Sequence, residues 1–141
     1  MFYKCHYFQI QELVDPETYK LFGERGWMLF HQQALLSLDG IRQYFGKPVI
    51  INNWYVGGVF EFRGFRPKTC TIGGIYSQHR FGNGFDLDVE GIPAHEVREE
   101  IVKNKDHDLL VRITCLEIDV GWVHSDSRNI LNEQRILLVS P

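Results

Sequence analysis

The chain has 141 residues, of which 44% are hydrophobic, and its formal net charge is −3. This length favours one domain over residues 1–141 that can bury a hydrophobic core. The weak negative charge argues against a nucleic-acid partner, because binding to phosphates requires a basic surface. No stretch approaches the roughly 18 uninterrupted apolar residues of a membrane helix, and the first residues lack the apolar core of a signal peptide. We therefore expect a monomer that is made in the cytoplasm.

Two helices are predicted in the first third of the chain. Residues 9–22 are amphipathic, with Pro16 suited to a helix start. In residues 32–45, apolar side chains recur at spacings of 4, 3 and 4, which is one face of a helix. Gly46 and Pro48 then end this second helix.

The remainder is predicted to be mostly β, around one further helix over 94–103. The predicted strands cover residues 48–54, 84–89, 109–118, 121–127 and 135–139. The third and fourth of these are expected to form a hairpin, and an irregular Gly-rich segment follows the first. The order of elements favours an α+β fold with a mainly antiparallel sheet and helices on one side.

Three cysteines occur in the chain, widely spaced and without a C-x-x-C pair. This argues against a disulfide framework or a cysteine-rich zinc site, and we expect small buried hydrophobes. A metal site would therefore use the six histidines and the carboxylates.

The most informative segment is SQHRFGNGFDLD, in which His79 precedes a Gly-x-Gly turn and Asp86 starts the next strand. Gly82 and Gly84 tolerate positive φ, so a sharp reversal can bring the imidazole and the carboxylate together. Zn²⁺ accepts such nitrogen and oxygen ligands. Taken alone, the spacing fits a polar turn with a surface histidine equally well.

The second segment, GWVHSD, contains His124. Strand alternation places it on one face with Trp122 and Asp126, a pattern that also fits a core histidine with a satisfied hydrogen bond. Together, His79, Asp86 and His124 make three ligands. A catalytic zinc site has three protein ligands and a water in the fourth position, whereas a structural site is closed by four.

Glu117 is the candidate general base. The apolar residues on its predicted strand face are Val111, Ile113 and Cys115. An acid there is unusual, and a hairpin would bring it within reach of a metal held by His124, where it could exchange protons with water and a leaving amine. The alternatives are an ion-paired edge residue, and Asp119, in the turn, as a competing base.

Arg63 and Arg66 flank a glycine in FRGFRP, within the irregular segment that leads to His79. Most arginines serve surface solvation, but this pair could hold a carboxylate through bidentate hydrogen bonds. The other histidines are expected to be surface or capping groups; these are His6, His31, His95 and His107.

The segment SQHRFGNGFDLD resembles the S-x-H-x-x-G-x-A-x-D signature of the D-Ala-D-Ala carboxypeptidase family of zinc metallopeptidases, and WVHSD resembles its W-x-H-x-D element. Weaker similarity extends over residues 8–127, in FQIQELVDPE, IRQYFGKPVIINNW and FRGFRP. Three features depart from the family pattern. Gly84 replaces an alanine, Gly121 stands where several relatives carry a Glu-x-x-His base, and YVGGVFEF is an insertion.

The resemblance implies a hedgehog/DD-peptidase-like fold and one Zn²⁺ bound by His79, Asp86 and His124. It also implies an acidic base shortly before the last histidine and an arginine near the substrate carboxylate. The hedgehog-like arrangement, with the glutamate one hairpin away, supports Glu117 as that base.

The implied activity is zinc-dependent hydrolysis of amide bonds in peptidoglycan stem or cross-bridge peptides, by a D,D-carboxypeptidase or an endolysin-type endopeptidase with water as nucleophile. Arg66, with Arg63, would hold a substrate carboxylate. Trp122 would shape the cleft, and Ser77 would bind the substrate or order the loop.

Because no signal peptide is expected, the resemblance to wall hydrolases favours a phage or prophage product that acts on the cell wall. A cytoplasmic D-Ala-D-Ala dipeptidase is the other option. The alternatives are a non-catalytic, zinc-stabilised binding module and a phage structural protein with the same fold.

Overall fold

A computed structural model describes residues 2–131 and 135–141. The helices are α1 (Pro16–Phe22), α2 (Gln32–Phe45) and α3 (Ala94–Lys103). The strands are β1 (Val49–Ile50), β2 (Gly84–Val89), β3 (Cys115–Glu117), β4 (Val123–Asp126) and β5 (Leu137–Val139). Short 3-10 helices cover Ile10–Glu12, Gly23–Leu29, Trp54–Val56 and Gln78–Phe81. Within the described residues, no helix has the length and apolarity needed to span a membrane.

The five strands form one sheet in the order β1-β2-β4-β3-β5. The first three pairings are antiparallel, including the predicted hairpin between β3 and β4. The last pairing, between β3 and β5, is parallel. The α+β class is confirmed, but the sheet is mixed, because the chain crosses over after β4 and returns alongside β3.

The first predicted helix is divided into the 3-10 turn at Ile10–Glu12 and α1. Asp15 caps α1 by accepting a hydrogen bond from Thr18 N at 3.1 Å, and Pro16 occupies the first helical turn as predicted. Between the two pieces, the carbonyl oxygen of Leu13 accepts a hydrogen bond from Phe65 N at 2.8 Å. The break thus supplies backbone acceptors for the irregular segment.

Helices α2 and α3 begin and end where the apolar periodicity predicts. Along α2, Leu38 and Ile41 are fully buried, and Gly46 ends the helix at φ 62°. Along α3, Val97 and Ile101 are fully buried. These side chains join one hydrophobic cluster with the inward residues of the sheet.

Four of the five predicted strands were too long, and two of them by most of their length. The segment 48–54 is extended in the sheet only at β1, and 109–118 only at β3. Residues 104–112 instead form helical turns, with Leu110 N and Val111 N both bonded to His107 O. Leu110 and Ile113 are buried three residues apart, whereas Val111 is 41% exposed. The prediction of a strand was wrong at the start of 109–118, because a short apolar run fits both the two-residue period of a strand and the longer period of helical turns.

The cysteine prediction is confirmed. All three are free, with Cys70 and Cys115 buried and Cys5 partly buried. Burial raises the pKa of the Cys115 thiol to about 12, so it remains protonated at neutral pH.

Gly40 provides a test of the packing between α2 and the helical turns. A Cβ at this position would lie 1.9 Å from Leu109 O. Helix propensity alone would favour Gly40→Ala by about 1 kcal/mol, but the clash is with backbone. We expect a net loss of about 1–3 kcal/mol in the free energy of unfolding, measured by urea denaturation. The control Gly121→Ala, where nothing lies within 4 Å, should change stability little.

Candidate metal centre

The register of β2 and β4 brings two predicted ligands together. Asp86 is paired with His124 across the antiparallel ladder, and their side chains lie on the same face. Asp86 Oδ1 is 2.9 Å from His124 Nδ1. Sheet pairing, not proximity along the chain, therefore fixes this half of the site.

The third predicted ligand, His79, lies on the 3-10 turn Gln78–Phe81. Gly82 ends the turn at φ 65°, a backbone conformation that favours glycine. A Cβ at Gly82 would also lie 1.9 Å from Leu29 O, so there is no space for a side chain. His79 Nε2 reaches to 3.3 Å from Asp86 Oδ1. The predicted convergence of the turn on Asp86 is thus present in the structure.

Gly84 has a different role from the predicted one. It does not adopt positive φ but begins β2. A Cβ at Gly84 would lie 3.2 Å from His124 Cε1 and 3.1 Å from Gln78 Cβ. The missing side chain therefore gives the His124 ring room to pack against the strand, and alanine would be tight.

The three residues have the geometry and chemistry of a site for one metal ion. One potential ligand atom from each lies within 4.8 Å of the other two. In a tetrahedral zinc site, bonds of about 2.0–2.1 Å place ligand atoms about 3.4 Å apart, close to the 3.3 and 2.9 Å seen here. His79, Asp86 and His124 are only 2%, 6% and 3% exposed, so the three side chains that would hold an ion are themselves buried.

The outer nitrogen of each imidazole is held by a second partner. His79 Nδ1 is 2.8 Å from the carbonyl oxygen of Gly64, to which it donates. His124 Nε2 lies 2.9 Å from Asp126 Oδ2. Histidines that bind metals characteristically donate their other N–H to a carbonyl or a carboxylate. This arrangement leaves Nε2 of His79 and Nδ1 of His124 as the ligand atoms.

Arg128 completes the support behind His124, and no sequence pattern predicted its role. Its Nε donates to Asp126 Oδ1 at 2.8 Å and its Nη2 to Oδ2 at 2.5 Å. The bidentate pair fixes the orientation of Asp126 and neutralises its charge. The only signal in the sequence was an arginine two residues after Asp126, and this arginine lies outside the GWVHSD segment that contains His124.

The electrostatics of the site keep Asp86 ionised. Burial alone would raise the pKa of Asp86, but hydrogen bonds with His124 and His79 outweigh it and hold the pKa far below its ordinary value. Burial likewise opposes a charge on His124. Its hydrogen bonds to Asp126 and Asp86 prevail and raise its pKa to about 9.

Glu117 faces the same space as the ligand atoms. Its Oε2 lies 4.0 Å from His124 Nδ1, and its side chain is 26% exposed. The expectation that Val111 shares its face is wrong, because Val111 lies in the helical turns. Asp119, the competing base, is exposed and lies in the connection between β3 and β4 with φ 63°. It lines a surface depression beside Arg98, separate from the cleft at Asp86.

Both predicted substrate arginines already bind carboxylates of the chain. Arg66 Nη2 is 3.1 Å from Asp86 Oδ2, and its Nε donates to Phe62 O at 2.8 Å. Arg63 Nη1 is 2.8 Å from Asp88 Oδ2. Arg66 thus holds the oxygen of Asp86 that faces away from the histidines, which leaves Oδ1 for a metal.

A cleft of about 310 Å³ opens beside Asp86. It is lined by Arg63, Arg66, Trp122, Val59, Phe60, Glu61, Phe62, Ile72 and Asp86. Trp122 therefore lines this cleft, and its role in shaping a substrate site stays a prediction. Ser77 directly precedes the 3-10 turn of His79, where its carbonyl oxygen accepts a hydrogen bond from Arg80 N at 3.0 Å.

The remaining histidines lie on the surface, as predicted. His6, His31, His95 and His107 are all exposed. His107 also acts as a local cap, because its Nδ1 accepts a hydrogen bond from Leu109 N at 3.1 Å.

We expect metal-free protein to bind one Zn²⁺, and His79→Ala or His124→Ala to abolish stoichiometric binding. Asp126→Asn should weaken binding about 10- to 100-fold, because an outer partner tunes the ligand. Competition with a chromogenic chelator measures these affinities. His95→Ala, at an exposed histidine, is the control. Full zinc binding by His79→Ala would refute the site.

Metal binding should also depend on pH. Zn²⁺ and the proton compete for His124 Nδ1, so affinity should fall about tenfold per pH unit below the pKa of about 9. Calorimetry at pH 7 in buffers of different ionisation enthalpy should report release of about one proton. Asp126→Asn removes one cause of the raised pKa and should lower this number. An enthalpy independent of buffer would contradict the assignment.

No family model, no curated protein and no solved structure matches the chain. The resemblance of the two metal segments to a peptidase family therefore stays a prediction, and the site rests on its own geometry.

Proposed function

We propose that the protein is a zinc-dependent peptidase that hydrolyses amide bonds in peptidoglycan stem or cross-bridge peptides. One observation carries the proposal: three ligand atoms and the Glu117 carboxylate face one space beside an open cleft. A metal ion held by three side chains retains a position for a reactant. An acid in reach of that position is what peptide hydrolysis requires.

Two imidazole nitrogens and one carboxylate oxygen suit zinc and equally iron(II), so the choice of zinc rests on the resemblance of the two metal segments to zinc metallopeptidases. Magnesium and calcium prefer oxygen ligands, and the absence of sulfur argues against copper(I) or an iron–sulfur cluster. The two outer partners, Gly64 O and Asp126, hold the rings in the orientation that a zinc site needs.

When bound, Zn²⁺ would acidify water and polarise the scissile carbonyl group. Glu117 would accept a proton from the attacking water at Oε2 and deliver it to the leaving amine nitrogen. Its partial exposure lets it exchange protons with solvent between cycles. Asp126 and Arg128 hold His124 still throughout, because the arginine fixes both carboxylate oxygens.

The substrate assignment is supported by the cleft and by the resemblance of SQHRFGNGFDLD and WVHSD to the D-Ala-D-Ala carboxypeptidase family. That family also motivates the finer fold proposal, a hedgehog/DD-peptidase-like domain with helices on one side of the sheet. Arg66 uses its Nε and one Nη2 hydrogen within the protein. Its Nη1 group, together with Arg63, is proposed to hold a substrate carboxylate, while Trp122 forms part of the cleft wall.

Burial of the ligands favours a second candidate function. At 2–6% exposure, His79, Asp86 and His124 are as enclosed as a structural site. The alternative is a zinc-stabilised binding module without catalysis, in which the ion links β2, β4 and the turn of His79.

Glu117→Gln separates the two functions. The peptidase proposal predicts retained zinc and a loss of about 10²–10⁴-fold in the rate of muropeptide release from purified peptidoglycan. Zinc content by elemental analysis and muropeptides by mass spectrometry are the readouts.

Glu99→Gln, an exposed acid on α3, serves as the matched control, and Asp119→Asn tests the competing base. Unchanged release by Glu117→Gln would favour Asp119 if Asp119→Asn is inactive. If wild-type protein binds zinc but releases nothing, the binding-module alternative stands.

A further inference from the structure

A second depression lies among the start of α2, the 3-10 turn of His79 and the residues that follow β4. Its volume of about 620 Å³ is within the range of sites for small molecules. Among the described residues, none lines both this depression and the cleft beside Asp86. Five amide side chains line the depression, which we call the amide pocket: Gln32, Gln33, Gln78, Asn83 and Asn129.

The walls of the amide pocket are tied to one another by backbone hydrogen bonds. His31 N, at the start of α2, donates to Gly82 O at 3.0 Å. Ser127 N, just after β4, donates to Asn83 O at 3.2 Å, and Asn83 N donates to Gln78 O at 3.1 Å. Three separate parts of the chain are therefore joined at this place, as in a preformed binding pocket.

The amide pocket carries little uncompensated charge. Of the described residues that line it, Arg128 is the only one of the types Asp, Glu, Lys and Arg. Two of its nitrogens are bonded to the Asp126 carboxylate, Nε to Oδ1 at 2.8 Å and Nη2 to Oδ2 at 2.5 Å. The charge of the arginine is thus balanced within the protein. A ligand of this pocket would be selected by hydrogen bonds and shape, not by an ion pair.

The amide groups offer donors and acceptors side by side. Asn83 Nδ2 donates to Gln78 Oε1 at 2.8 Å, which orients the two side chains. The bond leaves the Nε2 group of Gln78 as a donor and Oδ1 of Asn83 as an acceptor. Gln32, Gln33 and Asn129 are exposed and carry the same two kinds of group. Such a mixture suits a ligand rich in hydroxyl groups, because each hydroxyl both donates and accepts.

Phe81 supplies an apolar surface at this otherwise polar place. Its side chain is 50% exposed and lines the amide pocket. A sugar ring has a face of C–H groups and a rim of hydroxyl groups. The C–H groups carry a slight positive charge and pack on the negative face of an aromatic ring. Phe81 and the amides thus match the two kinds of surface that one sugar ring presents.

We propose that the amide pocket binds an uncharged saccharide, with a sugar ring on Phe81 and its hydroxyl groups bonded to the amides. The inference goes beyond the proposed function and does not depend on hydrolysis. The competing ligand is an anion, because α2 begins at the rim of the pocket and a helix N-terminus attracts negative charge. The balanced charge of Arg128 and the exposed Phe81 ring favour the saccharide.

The test titrates the full chain by calorimetry with chitotriose, which is N-acetylated, with cellotriose, which is not, and with inorganic phosphate. We expect saturable binding of a trimer at millimolar concentration. Its affinity should change less than about twofold when salt is raised tenfold, because no ion pair forms. Chitotriose alone would identify a polymer of N-acetylated sugars as the source, and equal affinities a wider range of glycans. Binding of neither trimer overturns the proposal, as does displacement of a bound trimer by phosphate.

Two variants place the saccharide in the amide pocket. Gln33→Ala removes a neutral hydrogen bond and should weaken binding about fivefold. Phe81→Leu keeps an apolar side chain but removes the aromatic face, and should weaken it by a similar factor. Gln43→Ala, at an exposed glutamine of the same helix, and Phe2→Leu, at another exposed phenylalanine, are the matched controls. A trimer that binds both pocket variants as tightly as wild-type protein occupies another surface, which overturns the proposal.

Discussion

The contacts of the Asp86 carboxylate are the interactions on which the arrangement of the candidate site depends. One oxygen faces both imidazoles, and the other is bonded to Arg66. The backbone N–H of Asp86 donates to Arg63 O at 2.8 Å. A single residue thereby joins the sheet, the turn of His79 and the wall of the cleft. Its charge is stable in a buried position because three cationic or hydrogen-bonding groups surround it.

The frame around this residue is built largely from backbone. Gly64 illustrates this, because its carbonyl oxygen orients His79 while a Cβ at Gly64 would lie 2.0 Å from Leu13 O. The break between the first 3-10 turn and α1 thus lies directly behind the site. A segment remote in sequence from the ligands sets the position of one of them, and no polar side chain is needed to do so.

The sequence predicted what local periodicity and short motifs can encode. Helices α2 and α3, strand β2 and the approach of His79 to Asp86 follow from apolar spacing and from the glycine turn, whereas the position of His124 depends on the pairing of β2 with β4. The parallel partner of β3 was missed because pairing across a crossover leaves no local pattern. Residues 109–114 were misassigned because an apolar run without polar alternation fits helical turns as well as a strand. Arg128 carries no motif, and only its contact with Asp126 in the structure reveals it.

The parallel strand β5 separates the support of Glu117 from the support of the candidate metal ligands. Ile118 N donates to Val139 O at 2.8 Å, so β5 holds the strand that carries Glu117 from the side opposite β4. Asp86 and His124 instead lie on β2 and β4, and His79 lies on the 3-10 turn Gln78–Phe81. In the proposed peptidase, loosening of β5 would therefore displace the base while the metal ligands keep their places.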